Sequence, residues 1–208
     1  MTQPSPTFIG PDRKRRCSWC SSDPLYIAYH DNEWGRPVTD DNRLYEKLCL
    51  EGFQAGLSWL TILKKREAFR EAFAGFDPLV VARFTTRDVQ RLMRNAGIVR
   101  NTAKIQATIS NARATIKVWD AGMTLSDVIW KHQPSKRRAA PRGHGDIPSF
   151  TPESTALSKE LSKLGFRFVG PTTMYAAMQS LGVVNDHYAS CAFRSASDSG
   201  RSRLIRGR

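Results

Sequence analysis

The alternation of apolar and polar positions is helical through most of this chain. Asp40 and Asp41 can cap a segment carrying Leu44 and Leu48, and an apolar stripe runs on from Leu57 to Phe73 before Gly75 closes it. Asp77-Pro78 starts another helix in the expected order, cap first and proline in the first turn, where a missing N–H costs no helical hydrogen bond. Thr85 and Asp88 have the spacing of a capping box ahead of Val89 and Leu92. The clearest element spans 102–119: Ile105, Ile109, Ala112, Ile116 and Trp119 step by four, three, four and three and share one face. A further helix starts at Thr151-Pro152-Glu153 and stops at Gly165, and another covers Thr172 to Leu181. No β-branched alternating run is long enough to build a sheet and no internal repeat is present, so the expected fold class is all-α.

Composition adds a partner class to this picture. Hydrophobic residues make up 40% of 208, enough for one compact domain or two small lobes. No run approaches the ~20 apolar residues of a membrane helix, and the first residues hold proline and charge where a secretory signal would hold an apolar block. A soluble, cytoplasmic protein without a membrane partner is therefore expected, as a monomer. Segments 1–15 and 194–208, rich in Pro, Ser, Gly and Arg, are expected to be flexible extensions of a domain over 16–193. Net charge is +13, and it is clustered: Arg13 to Arg16, then Lys136, Arg137, Arg138 and Arg142, then Arg201, Arg203, Arg206 and Arg208. Such a chain attracts polyanions by phosphate neutralisation and counterion release, and nucleic acid leads as the partner class.

Three groups of residues carry candidate chemistry. The first is a metal clip. His187 and Cys191 are four apart on a segment that can be helical, so both can face one side, and Cys17, Cys20 and His30 lie near the other end. Cys17, His30, His187 and Cys191 would make a closed tetrahedral site of two thiolates and two imidazoles, structural because no ligand position is left for water. Spacing does not choose between that clip, inert buried thiols, and a rival in which Cys20 of Cys17-x2-Cys20 is the ligand or a redox partner.

The second group is the turn Ala96-Gly97-Ile98-Val99-Arg100-Asn101-Thr102-Ala103 between two expected helices. It is similar to a helix-hairpin-helix motif: Gly97 permits the turn, and backbone N–H groups opening the next helix can receive a phosphate, with Arg100 and Lys104 adding charge. Val99 stands where the motif has its second glycine, and an ordinary helical corner fits the same residues. The third group is a carboxylate among aromatics. Trp19, Tyr26, Tyr29 and Trp34 crowd into 16 residues, and Glu51 opens Glu51-Gly52-Phe53-Gln54-Ala55-Gly56-Leu57-Ser58-Trp59 at the edge of the core. A carboxylate beside aromatic faces receives a flat cation through stacking, cation–π attraction and charge pairing; as core rings and a surface acid the same residues would do nothing.

Together these residues resemble the type I 3-methyladenine-DNA glycosylases, the Tag family of the helix-hairpin-helix superfamily. The matching text is Arg16-Cys17-x-Trp19, Asp23 to Gly35, Leu50-Glu51-Gly52-x-Gln54 to Trp59, Leu63 to Glu67, Ala96-Gly97-Ile98, Lys104 to Ala107, Gly165-Phe166-x-Phe168-Val169-Gly170 and Val184 to His187, covering about 16–192. The resemblance implies a helical glycosylase with a structural Zn2+ joining the N- and C-terminal segments through Cys17, His30, His187 and Cys191. It implies that Glu51 binds the excised base, with Trp19, Tyr26, Tyr29, Trp34 and Trp59 around the pocket. Leu57, after Gly56, is the candidate to fill the gap left by a flipped nucleotide, and Gly97, Arg100 and Lys104 are candidate DNA contacts.

The implied reaction is hydrolysis of the N-glycosidic bond of 3-methyladenine in alkylated double-stranded DNA, releasing free 3-methyladenine and leaving an abasic site. Methylation at N3 makes the base cationic and a good leaving group, so little acid–base assistance is needed once the nucleotide is unstacked. No acid occurs between 104 and 119 and Asp120 comes late, so no strong general base is expected; no lysine stands at a recognisable Schiff-base position, so no lyase step is expected either. Cys20 and the ring of Phe53 beside Glu51 depart from the family pattern, Phe53 with an expected effect on pocket breadth.

Overall fold

In the computed structural model the described residues are 5–21 and 23–206; residues 1–4 of the amino-terminal extension and Arg208 of the tail cluster lie outside them. The chain divides into two units, residues 1–37, 133–149 and 178–208, and residues 38–132 with 150–177. No helix among the described residues is long and apolar enough to cross a membrane.

The second unit holds most of the helices. They are α2 (Asp41–Gln54), after α1 (Pro24–Asn32) of the first unit, then α3 (Trp59–Lys64), α4 (Arg66–Ala72), α5 (Pro78–Val81), α6 (Thr86–Arg94), α7 (Thr102–Asp120), α8 (Leu125–Trp130) and α9 (Pro152–Lys163). α10 (Pro171–Ser180) runs from the second unit into the first. The caps are those the sequence marks: Asp40 accepts from Arg43 N at 2.9 Å, Asp77 from Leu79 N at 2.8 Å, and Asp88 from Thr85 N at 2.9 Å. Each satisfies a donor that helix geometry leaves without an intrahelical acceptor.

The core of this unit forms between α2 and α7. Leu44, Leu48, Leu50 and Phe53 from α2 are buried, as are Ile105, Ile109 and Ala112 on the expected face of α7. Ala107, Thr108, Asn111, Ala114 and Thr115 are buried as well, so α7 is enclosed on several sides and its lack of a clean polar face is explained. Tyr45 donates to the Thr108 carbonyl at 2.9 Å. Asp41 accepts from Trp119 Nε1 at 2.6 Å and from the amides of Leu125 and Ser126 at 2.8 and 3.1 Å, tying the start of α2 to the start of α8. The stripe from Leu57 to Phe73 is two helices: the chain leaves helical geometry at Lys65 (φ −100°, ψ 0°), whose Nζ donates to the carbonyls of Ala96 and Gly97 at 3.0 and 3.3 Å.

The first unit adds one short hairpin to a chain that is otherwise mostly helical. β1 (Thr7–Ile9) and β2 (Arg15–Cys17) pair antiparallel, with Phe8 opposite Arg16. Strands of three residues carry no readable alternation, and the hairpin is held from outside itself. Buried Arg16 donates to both carboxylate oxygens of Asp12 at 2.7 Å and to Asp31 at 2.7 Å, and Ala192 N donates to the Arg15 carbonyl at 2.9 Å. In the tail, α11 (Arg194–Arg206) is a helix with Ser197 and Arg201 buried. Asn185 Nδ2 donates to the Arg194 carbonyl at 3.1 Å, and Arg194 returns bonds to the carbonyls of Asn185 and His187 at 3.1 and 2.5 Å.

Candidate functional site

Glu51 lies on the last turn of α2 with only 4% of its surface exposed. Lys47, one turn earlier, places Nζ 3.4 Å from Glu51 Oε1 and 3.7 Å from the centroid of the Trp59 ring. An ammonium is thus held between a buried carboxylate and an indole face, the two attractions that would also hold a cationic ring. Sequence reading found Glu51 and Trp59 but missed Lys47; its i,i+4 spacing to Glu51 was the available signal. Gly56 adopts φ +83° in the turn between α2 and α3, and the following Leu57 is 40% exposed, as a side chain that must leave the protein surface requires. Phe53 does not broaden a pocket: it is buried against Phe69 and Phe73, with ring centroids 4.6 and 6.0 Å away.

The hairpin residues are only partly as expected. Asn95 to Asn101 join α6 to α7, and Asn101 caps α7 by accepting from Lys104 N at 3.1 Å. Gly97 is required by close approach, since a Cβ there would meet Ala68 Cβ at 2.9 Å and Asn95 Oδ1 at 3.0 Å. Arg100 is exposed. Lys104, expected to meet DNA, is buried and turned inward. Its Nζ donates to the carbonyls of Phe53 and Ala55 at 2.8 and 2.6 Å, satisfying acceptors that the end of α2 leaves open, and burial lowers its pKa. Lys104→Met should cost about 1–3 kcal/mol of stability by leaving those carbonyls without a partner. The slope of log K for DNA against log salt should stay unchanged in that variant and fall by about one in Arg100→Gln. Denaturant unfolding and salt-dependent binding titrations measure the two effects.

In the first unit Trp19, Tyr26, Tyr29 and Trp34 do cluster. Trp19 lies 4.9 Å from Tyr26 and 5.0 Å from Trp34, centroid to centroid, and Tyr26 lies 6.4 Å from Tyr29 in a stacked arrangement. Behind these rings sits the candidate metal centre. One ligand atom each from Cys17, His30 and Cys191, all buried, lie within 4.8 Å of one another, and Cys191 Sγ is 3.5 Å from His30 Nε2. Ligand atoms on a tetrahedral Zn2+ stand roughly 3.3–3.8 Å apart, given Zn–S near 2.3 Å and Zn–N near 2.0 Å. His30 Nδ1 donates to Asp31 Oδ1 at 2.8 Å, and Arg16 anchors that carboxylate, so Nε2 carries the lone pair that faces the thiols. The neighbouring Cys17 thiol, before any other influence, draws the Cys191 thiol well below its usual range.

His187 is set by an irregular segment and not by a helical turn shared with Cys191. Its Nδ1 bonds Asn185 Oδ1 at 2.9 Å, which fixes Nδ1 as donor, while buried Nε2 has no hydrogen-bond partner among the described residues. The His187 ring lies 5.0 Å from that of His30. His187 is not among the residues whose ligand atoms lie within 4.8 Å of one another; its buried Nε2, without a hydrogen-bond partner among the described residues, is the atom that could join them as a fourth ligand. Cys20 is outside the cluster: its thiol donates to the Cys17 carbonyl at 3.1 Å, and burial pushes its pKa up to about 12, the state of an inert structural thiol.

Burial, then the neighbouring His30, Arg36 and Arg194, push the His187 pKa from 6.5 down to about 3. The unfolded chain therefore binds a proton below pH 6.5 that the folded chain refuses. The contribution of His187 to stability is complete above pH 6.5 and is lost as pH falls toward 3, and proton competition for a bound metal acts in the same direction. Urea midpoints recorded from pH 7 to pH 4 should fall more steeply in the wild type than in His187→Gln; parallel curves would contradict a neutral buried His187.

Comparison with known proteins places this geometry. A sequence profile of the methyladenine glycosylase family matches residues 19–195. DNA-3-methyladenine glycosylase 1 of Escherichia coli strain K12 is 52% identical over 179 residues, 85% of this chain and 95% of its own. A crystal structure of 3-methyladenine DNA glycosylase I superposes with a TM-score of 0.83 at 50% identity, covering 85% of this chain and 98% of that one. The Staphylococcus aureus 3-methyladenine DNA glycosylase I, described for its recognition of 3-methyladenine, gives 0.81 at 36% identity over 86% and 96%. This chain belongs to the methyladenine glycosylase family.

Proposed function

We infer that this chain is a DNA-3-methyladenine glycosylase, hydrolysing the N-glycosidic bond of 3-methyladenine in alkylated DNA and leaving an abasic site. The observation that carries the reading is the buried Glu51 carboxylate with an ammonium drawn between it and the Trp59 ring. That arrangement accepts a flat cation and gains nothing from a neutral adenine, so selectivity follows from charge. Glu51 and Trp59 are assigned to base recognition, and Trp19, Tyr26, Tyr29 and Trp34 of the first unit are proposed for the same role. Leu57 is assigned to the gap left by the flipped nucleotide, and Arg100 with the opening of α7 to a backbone phosphate in helix-hairpin-helix fashion.

Chemistry at the reacting carbon needs little from the protein. N3 methylation puts positive charge on the leaving base, so the glycosidic bond breaks once the nucleotide is unstacked and water reaches C1′. Glu51 and Asp186 are the buried carboxylates among the described residues, and Asp120 is exposed at the end of α7, so no acid on α7 is assigned as general base. The enzyme is monofunctional in this reading, acts in the cytoplasm as a monomer, and releases the free base. Cys17, His30, His187 and Cys191 would hold a structural Zn2+, which supplies folding energy and no step of catalysis. Release of free 3-methyladenine from methylated duplex DNA, followed by chromatography of the supernatant, tests the reading. Intact DNA binding without any base release would overturn it.

A further inference from the structure

A small cavity of about 40 Å³ in the first unit is lined by Lys136, Arg137, Arg138, Arg194 and Arg201, with Asp186 and Asp198. Its α11 wall lies almost wholly beyond residue 195, where the family match ends. Both carboxylates and three of the cations have other engagements: Arg137 donates to Ser202 Oγ and Arg138 to the Asp146 carbonyl at 3.2 Å. Asp186 accepts from Gln179 Nε2 at 2.9 Å, and Arg194 donates to two backbone carbonyls and stands 3.8 Å from Asp198. Arg201 is different: it is only 5% exposed, and its Nε has no hydrogen-bond partner among the described residues. Burial, then the nearby charge of Arg137, lowers its pKa, against the smaller opposing pull of Asp198. A buried guanidinium facing like charge is costly unless an anion completes it.

We propose that this cavity is an anion site that takes a phosphate group, with Arg201 as its buried anchor and the exposed Lys136, Arg137 and Arg138 completing it. The planar guanidinium fork matches two phosphate oxygens at once, which an ammonium would not. The phosphate is either inorganic phosphate or a backbone phosphate of nucleic acid, and the same variants separate the two.

The test uses the full chain in inorganic phosphate and in chloride of equal ionic strength. Calorimetric titration should show saturable binding of one phosphate, and the melting temperature should rise by roughly 5–10 °C at phosphate 100-fold above its Kd. Arg201→Met should abolish that shift while melting at or above the wild type in chloride, because a buried charge without a partner has gone. Should Arg201→Met fail to fold, the exposed double substitution Lys136→Gln, Arg137→Gln should weaken phosphate binding about tenfold or more at an unchanged melting temperature in chloride. A phosphate response no larger than that of chloride, or one undiminished by these substitutions, overturns the site. Binding of undamaged duplex DNA against salt then names the source. A slope reduced by about one in the variant supports the site with a backbone phosphate in it, and an unchanged slope beside lost phosphate binding supports it with free phosphate.

Discussion

Glu51→Gln should lower single-turnover release of 3-methyladenine from methylated duplex DNA by about 10- to 150-fold, while binding of undamaged DNA stays at the wild-type level. The magnitude follows from what is removed. A hydrogen bond to a charged group contributes about 1.5–3 kcal/mol, and each 1.36 kcal/mol is tenfold in rate. The amide keeps the shape and one acceptor but loses the charge that separates a methylated cation from neutral adenine. Glu51 also accepts the charge of Lys47 at 3.4 Å, so the variant leaves an ammonium on the Trp59 face without its carboxylate and should melt a few degrees lower. Rates are therefore compared well below both melting temperatures. Wild-type release by Glu51→Gln would remove Glu51 from base recognition.

Cys191→Ala should lose its metal and about 4 kcal/mol of stability, a fall in melting temperature of roughly 8–16 °C for a chain of this size. Metal analysis of the purified wild type should find zinc near one per chain. Cys17, His30 and Cys191 already cluster within 4.8 Å, so removing one thiol opens a site that the remaining ligands cannot close. The comparison that gives the experiment its force is Cys20→Ala. That buried thiol bonds the Cys17 carbonyl and stands outside the ligand set, so the variant should keep full zinc content. Full occupancy in Cys191→Ala, or loss in Cys20→Ala, would overturn the assignment.

The candidate site was legible in the sequence where chemistry is carried by residue type. Glu51 stood out because a carboxylate close in sequence to Trp and Tyr is rare without a partner to recognise, and the structure buries it with Lys47 between it and Trp59. The four-residue metal set was expected only through likeness, since two of its members lie more than 150 residues from the other two and spacing could not exclude Cys20; the structure clusters three of the four, Cys17, His30 and Cys191. Cys20 is turned to a backbone carbonyl, and Asn185 holds His187 with its Nε2 unpartnered among the described residues. Neither has a sequence period. Arg201 was legible only as one cation in a basic tail; its burial is decided by the packing of α11.

The caps at Asp40, Asp77 and Thr85–Asp88 and the apolar face of α7 were determined by sequence alone, because they depend on residues within a turn of one another. The directions of the long side chains were decided by the tertiary structure. Lys104 reads as a phosphate contact from its neighbours, yet it turns toward carbonyls about 50 residues earlier, at Phe53 and Ala55, because the end of α2 leaves them without donors. Phe53 reads as a pocket wall and sits in the core, since α4 brings Phe69 within 4.6 Å of its ring. The short hairpin at the start of the chain exists because Asp31 and residue 192 hold it, not because three-residue strands have any preference of their own. Local periodicity says which face of a helix is apolar; only the packed partners say where a flexible charged side chain finds its acceptor.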